Sequence, residues 1–135
     1  MENIIDIKDK TLGVLSGRDC IYLDTLTQDE FGNLTFKGEI NGTLAEKMPG
    51  LAWIPYTLKF RGVAAYHVYG LDAYFGIASS ACESSFCMVE NSEWLSSLII
   101  KTGENEAEYR HYRLYTYDFA YNIIAKDHEM ELNIV

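Results

Sequence analysis

Glu108-Tyr109-Arg110-His111-Tyr112-Arg113-Leu114-Tyr115-Thr116-Tyr117-Asp118-Phe119-Ala120-Tyr121-Asn122-Ile123-Ile124-Ala125 is the stretch on which the reading of this chain turns. It holds five of the ten tyrosines. Aromatic and β-branched residues suit a pleated, half-buried strand. At strand period, Tyr109, His111, Arg113, Tyr115 and Tyr117 share one face, and Arg110, Tyr112, Leu114 and Thr116 share the other. Neither face is purely apolar. Such a strand either lines a binding surface or runs through the middle of a sheet with its polar tips partnered. Past Asp118, Phe119, Tyr121, Ile123 and Ala125 alternate with Asn122 and Ile124, which predicts a returning strand. A helix capped by Asp118 is the alternative.

Working outward, Ser92 reads as a helix N-cap with Glu93 in the first turn. Trp94 pairs with Leu98, and Leu95 with Ile99, at four-residue spacing, giving one apolar face. With Lys101 in the last turn and Gly103 as a stop, a helix is predicted over 92–102. Residues 104–108 read as an acidic loop. Toward the N-terminus, Leu34, Phe36, Gly38 and Ile40 alternate with Thr35, Lys37 and Glu39, the clearest half-buried strand of that half. Asn41-Gly42 predicts a hairpin return at Thr43-Leu44-Ala45. Further strands are predicted over 11–16, 20–26, 53–63, 84–89 and 129–134, the last at an edge because its outer face is charged. Residues 64–78 fit a strand pair divided near Gly70 or a short buried helix. The expected architecture is α+β and strand-rich: an antiparallel bent sheet or open barrel with one helix near 92–102.

The chain has 135 residues, 48% hydrophobic and 23% charged, values of a globular protein rather than a disordered one. One domain over 1–135 is expected. Twenty acids against eleven bases leave a net charge of −9, which argues against phosphate backbones and anionic membranes as ligands. Met1-Glu2-Asn3-Ile4-Ile5-Asp6 has neither the charge nor the apolar core of a signal sequence. Residues 63–82 are the least polar stretch. They carry Asp72 and His67, so they read as buried core and not as a membrane span. Cys20, Cys82 and Cys87 form no metal spacing, and the odd count points to reduced structural thiols in a cytoplasmic protein.

No glycine motif for phosphates occurs, and no cofactor is expected. His67, His111 and His128 lack metal-ligand spacing, so no metal is expected either. Cys87, His111 and Asp118 are the parts of a thiol hydrolase only if folding brings them together. Ten tyrosines, six phenylalanines and two tryptophans exceed what a core of this size needs. Tyrosine offers a large rigid face and a polar tip, which suits interfaces, but it is also an ordinary strand former. Tyr109, His111, Arg113, Tyr115, Tyr117 and Trp94 are the candidate binding residues.

Ser85-Phe86, Val89-Glu90-Asn91-Ser92-Glu93-Trp94-Leu95, His111-Tyr112-Arg113-Leu114-Tyr115-Thr116-Tyr117-Asp118 and Ile123-Ile124-Ala125 carry a resemblance. Over residues 84–126 the chain resembles small uncharacterised bacterial proteins, some of them similar to immunity proteins of toxin systems. The resemblance implies a small cytoplasmic domain with a binding role and transfers no active site. The expectation is a non-enzymatic acidic domain that recognises another protein, a basic toxin domain being one candidate. A small-molecule binder with a pocket of Tyr109, His111, Arg113 and Tyr115 is the alternative, and a Cys/His hydrolase the second. A homodimer through the 129–135 edge is a further option.

Overall fold

The structure is a computed structural model and describes residues 2–47, 50, 52–71, 84–102 and 108–134. Among the described residues, nine strands and one α-helix follow one another: β1 (Asn3–Asp6), β2 (Ile21–Gln28), β3 (Leu34–Ile40), β4 (Ile54–Arg61), β5 (Ala65–Gly70), β6 (Phe86–Glu90), α1 (Glu93–Thr102), β7 (Arg110–Tyr115), β8 (Phe119–Ala125) and β9 (Asp127–Leu132). A 3-10 turn, Gly42–Leu44, stands where a hairpin return was expected, because the Asn41 side chain caps it. The strands form two antiparallel sheets, β1-β6-β7-β8-β5 and β2-β3-β4-β9. The strand-rich antiparallel expectation holds. The bent sheet or open barrel gives way to two separate sheets face to face.

Alternation explains why they meet. Leu34, Phe36 and Ile40 on β3 and Ile54, Leu58 and Phe60 on β4 are buried on one face. Phe86 on β6, Tyr112 and Leu114 on β7, and Tyr121 and Ile123 on β8 face them in one core. Phe60 lies at its centre, with ring centroids 5.5 Å from Phe36, 5.1 Å from Tyr112 and 6.1 Å from Phe86. Rings at such spacings add to the burial of apolar area.

Gly38 is the tightest point of this core. The β2–β3 register shifts between Leu23 and Thr25, a bulge that leaves Asp24 without a register partner. The Tyr22 carbonyl oxygen then lies where a Cβ on Gly38 would stand. Tyr56, opposite Gly38 on β4, reaches across the vacant side-chain position and donates its hydroxyl to that oxygen at 2.9 Å.

Three further readings are corrected. Residues 11–16 make no strand: Gly13 is left-handed (φ 73°), and the Asp9 carboxylate accepts from the Thr11 and Leu12 N–H groups, which curls the chain. Leu15 and Ser16 make only isolated bridges, to Ala45 and Ser84. Residues 3–6, read only for signal-sequence character, pair with β6 as an edge strand. Within the apolar stretch 63–82, residues 65–70 form the edge strand β5, and Tyr66, Val68 and Tyr69 are exposed rather than buried. Residues 72–78, and the stop and loop expected over 103–107, lie outside the described residues.

Cysteine chemistry also departs from the expectation of reduced thiols. Cys87 is disulfide-bonded. Cys20 is free and buried, and desolvation pushes its thiol up to about 11, so it stays protonated. Among the described residues no helix is long and apolar enough to cross a membrane.

Candidate functional site

The second face of the five-stranded sheet carries most of the aromatic, basic and imidazole residues singled out above. His111, Arg113 and Tyr115 on β7 share it with Asn122 and Ile124 on β8 and with His67 on β5. Helix α1 covers part of it: Leu95 packs with Tyr109 and Ile124, and Trp94 and Leu98 lie against them. The face is therefore an interior. His111 is 4% exposed and Arg113 8%.

Its polar groups are wired together. The Leu95 N–H donates to Ser92 Oγ at 3.1 Å, so Ser92 is both helix cap and relay. Ser92 Oγ lies 2.7 Å from His111 Nδ1, and His111 Nε2 lies 2.8 Å from Asn122 Oδ1. Arg113 Nε also donates to that oxygen, at 3.3 Å. Arginine only donates, which makes this atom of Asn122 the acceptor, His111 Nε2–H a donor, and Ser92 the donor to Nδ1. The Asn122 Nδ2 group and His67 Nδ1 are buried with no partner among the described residues. Trp94 packs between the two imidazoles, 4.6 Å from the His67 ring and 5.3 Å from the His111 ring.

Desolvation pushes His111 down to about 4, against an upward pull from its Asn122 hydrogen bond and a further push down from the Arg113 charge. His67 and His128 are lowered as well, chiefly by burial. A buried neutral imidazole makes stability depend on pH in one direction. The unfolded chain binds a proton near 6.5 that the folded chain refuses, so stability is complete above that pH and falls as pH drops toward 4. The interval for His111 corresponds to about 3 kcal/mol. Thermal unfolding followed from pH 7.5 to pH 4 is expected to show this decline. An NMR titration that placed the His111 ring at its ordinary midpoint would contradict it.

Of the six expected binding residues, Tyr109, His111, Arg113, Tyr115 and Trp94 come together in this layer. Tyr117 does not. Although its parity matches, β7 ends at Tyr115, and the 116–118 turn carries Tyr117 to the rim, where its N–H donates to the Ile21 carbonyl of the other sheet at 3.0 Å. There it stacks on Tyr22, centroids 5.3 Å apart and planes 12° apart, and Trp53 meets the same Tyr22 edge-on at 5.4 Å. Arg18 lies over the Tyr117 ring at 5.2 Å and donates from Nε to its carbonyl oxygen at 2.8 Å. Partial desolvation raises the Tyr22 phenol, and the neighbouring Asp19 and Asp118 carboxylates raise it further.

This rim cluster is open. Trp53 is 52% exposed and Tyr117 40%. Trp53 also holds φ at 56°, a left-handed conformation that costs a side chain of its size about 1–2 kcal/mol. A strained backbone that presents a large apolar ring to solvent points to use of that ring outside the fold. Sequence reading passed over Trp53 and Tyr22. A tryptophan just before a strand of alternating residues is a signal, but nothing in it tells of the torsion or of Tyr22 and Tyr117.

The thiol-hydrolase arrangement is not assembled. Cys87 is bonded as a disulfide, both His111 nitrogens are engaged by Ser92 and Asn122, and Asp118 stands exposed on the rim. Among the described residues no three His, Cys, Asp or Glu side chains gather as a metal site. Comparison of the chain with protein-family models, with curated proteins and with solved structures gives no match.

Proposed function

We propose that the chain is a non-enzymatic binding domain that recognises a basic protein surface through the Tyr22–Trp53–Tyr117 cluster. The observation that carries this reading is the exposed Trp53 held at positive φ beside two stacked tyrosines. Aromatic faces attract guanidinium and ammonium groups, and Arg18 on Tyr117 is an example within the chain itself. Asp19 and Asp118 add negative charge at the rim, and the net charge of −9 steers a cationic partner from a distance. A basic toxin domain fits this chemistry, with the chain in the part of its immunity protein. Large aromatics at the centre of an interface carry most of its binding energy.

The test combines stability with capture. Trp53→Asn relieves the backbone, since asparagine tolerates the left-handed region, and loses the ring contact with Tyr22. The two effects offset to within about 1 kcal/mol of the parent stability. Bait with Trp53 intact is expected to recover one basic protein from host lysate at equal stoichiometry, lost at high salt and lost with the variant. Recovery that Trp53→Asn leaves unchanged would sink the assignment, as would a recovered partner that is not basic.

A further inference from the structure

A second concavity, which shares no lining residue with that rim, lies between the segment that follows β1 and the edge strand β9. The β1–β6 ladder runs on by one bond, Ile7 N–H to the Phe86 carbonyl at 3.0 Å. Beyond it the chain curls through the Asp9 turn. The opening between this curl and β9 is a cavity of about 390 Å³, within the range of small-ligand sites. Ile7, Phe86 and Met130 are apolar walls, and His128 lines it beside them.

Three features separate this cavity from a packing defect. First, the His128 ring packs against Phe86 and Tyr112, with centroids 5.3 Å and 5.0 Å away. Among the described residues none hydrogen-bonds its nitrogens, although they are not sealed from solvent. A ring nitrogen is thus available to a polar group of a ligand. Second, Lys8 and Lys10 stand at the mouth, both exposed, and neither forms an ion pair with the described residues. Third, the two acids of the same lining, Asp9 and Glu129, already hold partners of their own. Asp9 Oδ2 takes the Thr11 and Leu12 N–H groups at 2.9 Å each, and Glu129 Oε2 pairs with Arg61 Nη1 at 3.3 Å. On a chain of net charge −9, two cations that pair with none of the described residues, at the mouth of an apolar cleft, form a local site for an anion.

We infer that this cleft binds a small carboxylate with an apolar body, the body between Ile7, Phe86 and Met130 and the carboxylate on Lys8 and Lys10. The apolar walls supply the affinity, the lysines select the sign of the head group, and His128 offers one hydrogen bond at depth. The site is independent of the Trp53 cluster.

Calorimetric titration of the whole chain tests this, with decanoate as the probe and decylammonium and decan-1-ol as controls of equal chain length. Saturable one-to-one binding of decanoate is expected, about tenfold weaker for the alcohol and weaker still for the amine. Met130→Trp, which fills the cleft, is expected to abolish it. Lys8→Gln with Lys10→Gln changes only exposed side chains and is expected to weaken decanoate about tenfold while leaving decan-1-ol unchanged. Trp53→Asn should bind as the parent does. No saturable binding, equal affinity for decanoate and decylammonium, or a lysine double variant that binds decanoate undiminished would overturn the inference.

Discussion

Gly38→Ala is expected to destabilise the protein by about 3 kcal/mol and to lower its melting temperature by about 10 °C. One methyl group has this effect because the Tyr22 carbonyl oxygen already occupies the position of the new Cβ, and the Leu23 Cα lies 3.0 Å from it. Both obstacles are backbone, so no side chain can swing aside. β2 must move off β3 at its bulge, and Tyr56 then loses the carbonyl that its buried hydroxyl donates to. A buried hydroxyl without an acceptor adds about 1–3 kcal/mol of its own. The same substitution at Gly70 supplies the comparison. A Cβ there meets nothing within 4 Å among the described residues, so Gly70→Ala should leave the melting temperature nearly unchanged. Equal shifts for the two variants would show that Gly38 matters through glycine entropy alone.

Asn122→Leu is expected to be at least as damaging, by roughly 3–5 kcal/mol. It keeps the volume and removes the one oxygen that receives both His111 Nε2–H and Arg113 Nε. The layer beneath α1 is dry enough to hold His111 near 4, so neither donor regains water cheaply when its acceptor goes. Asn122→Asp retains an acceptor at the same place and sets a negative charge beside Arg113 and His111. It is expected to recover at least half of the loss and to raise the His111 midpoint. Chemical unfolding of the two variants, together with an NMR titration of His111, separates this account from one based on packing. If Asn122→Leu were as stable as the parent, the network would be ornamental to the fold.

These two sites show how unevenly the protein can be read from its residues. The alternation of β3 is plain in Leu34, Phe36, Gly38 and Ile40, and the buried face of that strand follows from it. Why a glycine falls in that row does not. It depends on a bulge in a neighbouring strand and on a tyrosine one strand further away. For β7, period two places His111, Arg113 and Tyr115 together, and they are together. Period two is silent on whether such a face is open to ligands or roofed by a helix. Ser92 as an N-cap was legible, but its second bond, to an imidazole nineteen residues on, was not. Tyr117 carries the same lesson in reverse, since its parity was right and the strand stopped two residues short of it.

Local order was therefore determined by the sequence alone: antiparallel strands of alternating character, the turns between many of them, and a capped helix at Glu93–Thr102. Those features rest on torsional preference and on hydrophobic period, which act over a few residues. The tertiary structure alone decided that the strands divide into two sheets, that the His111–Arg113 face becomes an interior, and that Trp53, Tyr22 and Tyr117 meet at the rim. It also decided that Lys8 and Lys10 border a cleft shared with Met130. Burial and ligand geometry arise from contacts between residues dozens of positions apart, and no local period encodes which distant face will cover a given strand.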